Sequence, residues 1–417
     1  MVKVITYGTF DFLHYGHRRL LERAKALGDY LIVGVTADDF DKVRGKINVS
    51  QSLMERVEAV RATGLADEII IEEYEGQKID DIKRYDVDIF TVGSDWVGKF
   101  DYLNEWCKVI YLPRTEGISS SEIRAEKRAL KIQILGETFI GEKFARESQY
   151  VNGVEIVDDT ADAIYLVTAP GEHYAQIKAA IEKGQHVICE SPIAVRERDC
   201  VELYEMAQKH DRILVEAIKT AYSTAYARLM LMVKAGAIGD VVSVDAVCTS
   251  MQDYLQGEHL KNKWNSIEAW GPTALLPVFQ LLGTNPREVH IVSKFLDMEK
   301  KYDGFTKIDF VYANAVASVK VAKAAKSEGE LIITGTKGYI YVPAPWWKTD
   351  YFEIRYEDQT QNRRYFYQLD GEGIRYEIVA FKRAIETGKN SDYVNRDVSI
   401  AISKIMEMCR SKEVVQI

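Results

Sequence analysis

Over the first 128 residues, short apolar runs alternate with stretches whose apolar positions recur every three or four residues. Residues 2–7, 30–36, 68–71, 89–92 and 108–112 are compact apolar runs bounded by polar or turn-forming residues, and they read as strands. Between them, residues 17–27, 52–62 and 77–84 carry helical spacing, with Leu20, Leu21 and Ala24 on one face of the first. Residues 30–36 are almost continuously apolar, as a strand covered on both faces must be. Ser119-Ser120-Ser121 is placed to cap a final helix to about Lys127. Strands alternating with helices at this spacing predict a parallel, doubly wound α/β sheet.

The pattern restarts at Lys131. Residues 131–135 read as a strand, 136–141 as a glycine-bearing turn, and a helix follows from about Glu142. Strands at 163–168, 186–189 and 213–217 are separated by helices at 173–183 and 196–210. From Val241 long alternating strands appear, at 241–249, 289–295 and 315–321, and helices at 374–387 and 398–409 close the chain. The expected fold class is a Rossmann-like α/β unit over 1–128, a second Rossmann-like unit over 129–240, and an α+β unit with a mostly antiparallel sheet over 241–417. No Gly/Pro/Ser linker separates the first two near Arg128, so they are expected to dock or to share a continuous helix.

Composition narrows the functions open to such a chain. The 417 residues are 47% hydrophobic and 28% charged, which excludes wholesale disorder and a collagen-like fibre. The formal net charge is −9, and both the first 128 residues and the remainder are mildly acidic without a basic block. A general grip on the nucleic-acid backbone needs a surplus of cations and is not expected. No apolar run reaches the length of a membrane span, and the N-terminus reads as neither a leader nor a cleavage site. The five cysteines are scattered, with no CxxC pair, which argues against a disulfide framework and a structural zinc site. No residues are put forward as metal ligands. The expectation is a cytoplasmic protein acting on small molecules.

The strongest chemical signal is Thr9-Phe10-Asp11-Phe12-Leu13-His14-Tyr15-Gly16-His17, directly after the first strand. Open α/β sheets bind ligands at the carboxyl ends of their strands. Gly16 lets backbone approach a ligand, and His17 is expected to open a helix whose free N–H groups favour phosphate. Two imidazoles there can donate to phosphoryl oxygens as negative charge builds in a transition state. A pair of capping or core histidines is the plainer alternative.

HxGH marks the nucleotidyltransferase superfamily, and a second segment, Arg114-Thr115-Glu116-Gly117-Ile118-Ser119-Ser120-Ser121, looks like the RTEGISTT signature of cytidylyltransferases. Residues 1–127 resemble the bacterial glycerol-3-phosphate cytidylyltransferases over their whole length, through VITYGTFDFLHYGH, LLERAKALGDYL, GSDWVGKFD and YLPRTEGIS. The resemblance implies CMP transfer from CTP, with Mg²⁺, to a small polyol phosphate, glycerol 3-phosphate first among them. It implies phosphate contacts for His14 and His17, and charge neutralisation by Lys46 and by Arg44, where the family usually has Lys. It further implies nucleotide contacts from Arg114, Thr115 and Ser119, a nucleoside pocket at Asp95 and Trp96, loop orientation by Asp11, and a homodimer or higher homo-oligomer. CDP-activated polyols feed cell-surface polymers. Two positions depart from the family: Ser94 where Asp is common, and Gly64 where an Arg precedes the Asp67-Glu68 pair.

Further on, Gly136-Glu137-Thr138-Phe139-Ile140-Gly141 stands where a dinucleotide fold puts GxGxxG, with Thr138 at the middle glycine. With YLVTAP before His173, EKGQHVICESP, LVEAIKTAY and KAGAIGDVVSVDA, the region from about 130 onward resembles the Gfo/Idh/MocA oxidoreductases. That implies NAD or NADP. The family's Glu-Lys-Pro reads Glu190-Ser191-Pro192, and its Asp-x-Gly-x-His aligns with residues 269–273, so the Lys, Asp and His are absent. The stretch from Ala145 to Ala163 looks too short for the usual strand ending in a ribose-binding acid. Two readings stay open. One is a reductase with a rebuilt site, using Gly136 and Gly141 for the cofactor, Lys219 as proton donor, and His173 or Tyr222 near the substrate. The other is a degenerate scaffold. Trp346-Trp347 reads equally as a pocket wall or as core.

Overall fold

The computed structural model describes residues 1–37, 49, 51, 53–74, 76–113, 128–136, 139–251, 264–299, 301–367, 369–390, 393–411 and 413–417. The chain divides into two compact units, Met1–Ala129 and Leu130–Ile417.

The first unit is built on five parallel strands: β1 (Lys3–Gly8), β2 (Tyr30–Thr36), β3 (Glu68–Glu72), β4 (Ile89–Gly93) and β5 (Lys108–Leu112), in the order β3-β2-β1-β4-β5. Helices α1 (Tyr15–Lys25), α2 (Leu53–Ala62) and α3 (Gln77–Tyr85) connect them. Successive strand residues bury on opposite faces. Val4, Leu31 and Val33 pack with Leu21, Ala24, Val57 and Val60 on one side, while Ile5 and Ile32 pack with Ile82 and Phe90 on the other. Strand order reverses direction between β1 and β4. An open α/β sheet has its ligand crevice at that point.

Helix α1 begins two residues earlier than its spacing suggests. His14 is the N-cap, its Nδ1 accepting the Gly16 N–H at 3.1 Å as an Asn or Asp cap would, so Tyr15 and Gly16 enter the helix and His17 sits inside the first turn rather than opening it. The final helix expected to Lys127 lies outside the described residues.

In the second unit, β6 (Leu130–Leu135), β7 (Val154–Ile156), β8 (Ala163–Leu166), β9 (His186–Glu190) and β10 (Leu214–Ala217) form a parallel sheet in the order β10-β9-β8-β6-β7. Helices α4 (Phe139–Ser148), α5 (Pro170–Glu182) and α6 (Glu197–Lys209) belong to it. The β7 strand is the one that seemed missing. At three residues it is too short to show a period, yet it pairs Lys131 with Glu155 and Ile132 with Ile156.

Helices α7 (Thr224–Lys234) and α8 (Ser266–Leu282), also not anticipated, lead into the rest of the unit. Most of α8 is buried, so its apolar residues run all round it and leave no one-sided stripe to read. The nine-stranded sheet runs, edge to edge, through Arg363–Phe366, Tyr351–Arg355, Tyr339–Val342, Leu331–Gly335, Val241–Thr249, Val316–Ala322, Tyr302–Val311, Glu288–Asp297 and Val415–Gln416. All its pairs are antiparallel except the one between Val241–Thr249 and Val316–Ala322 and the one joining Val415–Gln416. Helices α9 (Ile374–Thr387) and α10 (Arg396–Met408) complete the unit.

Candidate active site

In the first unit the loop from Thr9 to His14 leaves the carboxyl end of β1, and Ser94-Asp95-Trp96 forms a 3₁₀ turn at the carboxyl end of β4, its neighbour. Two predicted segments therefore follow neighbouring strand ends at the switch point. The loop is held in an unusual shape. Phe10 (φ 55°) and Phe12 (φ 46°) are both left-handed, a conformation that costs non-glycine residues energy and persists only where surroundings enforce it.

Contacts from Phe10, Asp11 and Arg56 hold it. Phe10 is buried and meets the edge of the His17 ring, with centroids 5.5 Å apart. Asp11, 2% exposed, accepts the Gln51 N–H at 3.0 Å, while Gln51 Oε1 accepts the Phe12 N–H at 2.6 Å. Arg56, fully buried on α2, donates to the carbonyls of Thr9 (2.6 Å), Thr36 (2.8 Å) and Gln51 (3.2 Å). Arg56 was not anticipated. Its signal in the sequence is a guanidinium standing on the same helix face as Leu53, Val57 and Val60, where a core residue is expected.

The His14 and His17 rings stack at 3.9 Å with 18° between planes. Because Nδ1 of His14 accepts from Gly16, a neutral His14 ring carries its proton on Nε2. Trp96 packs on Phe100 at 5.8 Å with Lys99 over its face, and Asp95 is exposed. Gly64 (φ 68°) follows the end of α2 in a left-handed turn that suits glycine. Arg23 on α1 donates to the Pro113 carbonyl at 2.6 Å. Arg44, Lys46, Arg114, Thr115 and Ser119 lie outside the described residues.

The second unit has its own arrangement at the carboxyl ends of β6, β8, β9 and β10. Gly136 (φ 115°) ends the first strand, and a Cβ there would stand 2.8 Å from the Val167 carbonyl oxygen. A Cβ on Gly141 would press on Ile134 and Val167 at 3.2 and 3.3 Å, so this glycine lets α4 pack on the sheet. Thr138, at the middle glycine position, lies outside the described residues. Asp158 and Asp159, both exposed, follow the end of β7, so acidic side chains do stand where a dinucleotide fold binds ribose.

His173 is fully buried. Its ring nitrogens reach the carbonyls of Pro192 (2.8 Å) and Thr168 (3.0 Å), and burial lowers its pKa. It ties two loops together. Tyr222 is also fully buried, its ring tilted on Tyr393 at 5.0 Å. Ser191 points inward and donates to the Glu216 carboxylate, whose pKa burial pushes up to about 7 against the opposing hydrogen bonds. Glu190 accepts from the Tyr165 hydroxyl and is likewise raised by burial. Lys219, just past β10, binds Glu372 at 2.8 Å. Trp346 is core, donating to the Val247 carbonyl at 3.1 Å, and Trp347 packs on Trp270 at 4.9 Å.

A five-stranded parallel sheet with stacked HxGH histidines at its switch point defines a nucleotidyltransferase. The comparisons agree: residues 5–126 match the model of a cytidylyltransferase-like family. The chain is 52% identical over 130 residues to a glycerol-3-phosphate cytidylyltransferase of Bacillus spizizenii, spanning 31% of this chain and all of the relative. It is 47% identical over 126 residues to the one from Staphylococcus aureus, spanning 30% of this chain and 95% of that protein. The chain belongs to the glycerol-3-phosphate cytidylyltransferase family through its first unit.

Residues 122–217 match the oxidoreductase family with an NAD-binding Rossmann fold, the Gfo/Idh/MocA group. The fold is also that of a 3-ketoreductase from Actinomadura kijaniata, solved with NADP and TDP-benzene, at TM-score 0.59 and 15% identity over 70% of this chain and 99% of that one. The second unit is thus an oxidoreductase-like domain fused to a cytidylyltransferase.

Proposed function

We propose that the first unit transfers CMP from CTP to glycerol 3-phosphate, releasing pyrophosphate and CDP-glycerol. The observation that carries this is the stacked His14–His17 pair at the switch point, in a unit about half identical to enzymes of that name. An oxygen of the acceptor phosphate attacks the α-phosphorus of CTP in line. As that P–O bond forms, the bond to the β-phosphate bridging oxygen breaks and the electron pair leaves with pyrophosphate. Negative charge grows on the leaving oxygens, and donors already in place there lower the barrier without reorganising.

His14 supplies its Nε2–H, with the Gly16 amide fixing the tautomer. The His17 ring lies stacked against it. Arg44, Lys46, Arg114 and Thr115 are assigned to the phosphates and nucleotide, Ser119 to the nucleotide, and Asp95 and Trp96 to the nucleoside. Thr9, Phe10, Asp11 and Gly16 shape the loop. Mg²⁺ enters with CTP, held chiefly by phosphate oxygens as is usual for this ion. Pyrophosphate release should be fastest with CTP among the four nucleoside triphosphates, and with glycerol 3-phosphate among small polyol phosphates. An equal rate with ATP would overturn the nucleotide assignment.

For the second unit, the glycine turn favours a nicotinamide nucleotide over a bare scaffold: Gly136 makes the tight turn out of β6, Gly141 lets α4 pack closely on the sheet, and Asp158 and Asp159 follow β7 on the side where a dinucleotide fold binds ribose. Bound there, that cofactor would supply or accept hydride. Ser191 is turned towards Glu216 and so does not replace the family's lysine, while Lys219 is an ammonium group that follows the carboxyl end of β10. Gly136→Ala should weaken NAD(H) or NADP(H) binding at least tenfold by calorimetry, because a left-handed alanine costs on the order of 1–3 kcal/mol and meets the Val167 carbonyl. If the unaltered protein binds neither nucleotide at millimolar concentration, the scaffold reading stands instead. The domain limits 1–128, 129–240 and 241–417 and a homo-oligomeric assembly are part of the same proposal.

A further inference from the structure

One polar cluster of the second unit is absorbed by neither cofactor nor fold. The Glu372 carboxylate is bound by three ammonium groups from three distant parts of the chain: Lys143 at 2.7 Å, Lys219 at 2.8 Å and Lys348 at 3.1 Å. Lys143 lies on α4, directly behind the glycine turn, Lys219 follows the carboxyl end of β10, and Lys348 follows Trp347. The cluster therefore stands at the ligand edge of the parallel sheet. Its side chains are between 19% and 40% exposed, so solvent and small ions reach it.

The carboxylate is delivered by an unusual turn. Gly371 (φ 57°), Glu372 (φ 54°) and Gly373 (φ 92°) are three consecutive left-handed residues. A Cβ on Gly371 would stand 2.2 Å from Glu147 Oε2, and one on Gly373 would stand 2.4 Å from the Lys219 carbonyl oxygen. Glu372 itself bears the cost of a left-handed non-glycine residue. Behind the turn, Arg375 pairs with Glu147 at 2.5 Å and lies over the Tyr150 ring at 3.7 Å. The turn is thus clamped on both sides, and its product is one carboxylate seated among three lysines.

The charges do not balance. Three cations face one anion, and Glu372 is strongly acidic: burial pushes its pKa up, but the hydrogen bonds from Lys143, Lys219 and Lys348 outweigh this and hold it at about 2. Glu190 and Glu377 also feel Lys219, but burial raises both, which disfavours their charged forms. A surplus of positive charge that solvent reaches, arranged around two oxygens, suits a dianion with more oxygens than a carboxylate has.

We propose that Lys143, Lys219 and Lys348 form the phosphate subsite of the second unit, taking a small phosphomonoester, and that Glu372 is a resident stand-in that the phosphate displaces. This rests on the reading of the second unit as one that acts on a small molecule. It also ties the two units chemically, since the first unit uses a phosphomonoester as acceptor. The phosphate of one small polyol compound would be held at Lys143, Lys219 and Lys348 while its carbon skeleton is oxidised or reduced, and would attack CTP in the first unit.

The test is hydrogen exchange on the full-length protein with glycerol 3-phosphate, and with glycerol as the phosphate-free control, followed in peptides covering residues 369–376 and 343–350. Protection in these peptides with glycerol 3-phosphate only is expected. Lys143→Ala combined with Lys348→Ala should abolish it, leaving cytidylyl transfer by the first unit unchanged. Glu372→Gln, which removes the competing charge, should tighten the apparent Kd roughly tenfold, the size of one charge-assisted hydrogen bond. If Glu372→Gln fails to fold, as judged by thermal melting, the double lysine variant still decides the matter. No change in these peptides at millimolar ligand, or a change that survives the double variant, overturns the subsite. Calorimetry with NAD(H) and NADP(H) on the same preparation separates that failure from failure of the oxidoreductase reading.

Discussion

His17→Ala lowers cytidylyl transfer by on the order of 100–1000-fold and leaves the circular dichroism spectrum and melting temperature close to those of the parent, because the variant removes a donor aimed at developing charge. The ring it deletes stacks on His14 and meets the edge of Phe10, so a modest packing loss accompanies the change. The loop keeps its shape through the hydrogen bonds of Asp11, Gln51 and Arg56 to one another's backbone, to Phe12 and to Thr9. A variant retaining more than about a tenth of parental turnover lies well outside the range for losing such a donor and assigns the histidines a structural role.

The second large effect is expected at Arg56, which touches no substrate in this account. Arg56→Ala removes a donor from the buried Thr36 carbonyl and from the half-buried carbonyls of Thr9 and Gln51. A buried carbonyl left without its donor costs on the order of 1–3 kcal/mol, and the two half-buried ones add less each, so chemical denaturation should show a loss of about 2 kcal/mol or more. Arg56→Lys keeps the charge but reaches fewer of the three oxygens. It should retain most of the stability, yet lose turnover, because the left-handed loop that carries His14 is then less firmly held. A split of this kind, with kcat falling while denaturation midpoints stay close to parental, marks a positioning residue. Parallel losses of both would make Arg56 a purely structural one.

The sequence showed the parallel elements of both units to within a few residues at their ends, since burial on two faces leaves compact apolar runs that local pattern detects. It missed what local pattern cannot carry. Strand β7 is three residues long and owes its existence to pairing with β6. Helix α8 is buried nearly all round and carries Pro272 and Pro277, so it shows neither a stripe nor clean helical composition. The start of α1 was displaced because a histidine took the capping role usually read from Ser, Thr, Asp or Asn.

The candidate site divides in the same way. The HxGH and GSDW segments are contiguous, so they could be read directly, and the fold placed them on neighbouring strand ends. Arg56 acts through three carbonyls separated along the chain, and the Lys143–Lys219–Lys348 group converges on Glu372 only in three dimensions. Ser191 seemed to be a lost catalytic lysine. The structure gives its hydroxyl a definite task, binding the buried Glu216 carboxylate.

The first unit is proposed to join CMP to a polyol phosphate. Phosphorus-31 NMR of the full-length protein with CTP, Mg²⁺ and glycerol 3-phosphate tests it most directly. Loss of the triphosphate signals is expected, matched by pyrophosphate and by a new pair of coupled diphosphate resonances, with neither product formed when glycerol 3-phosphate is omitted. CTP that persists unchanged, or that is hydrolysed to CMP and pyrophosphate without the new diphosphate, would contradict it.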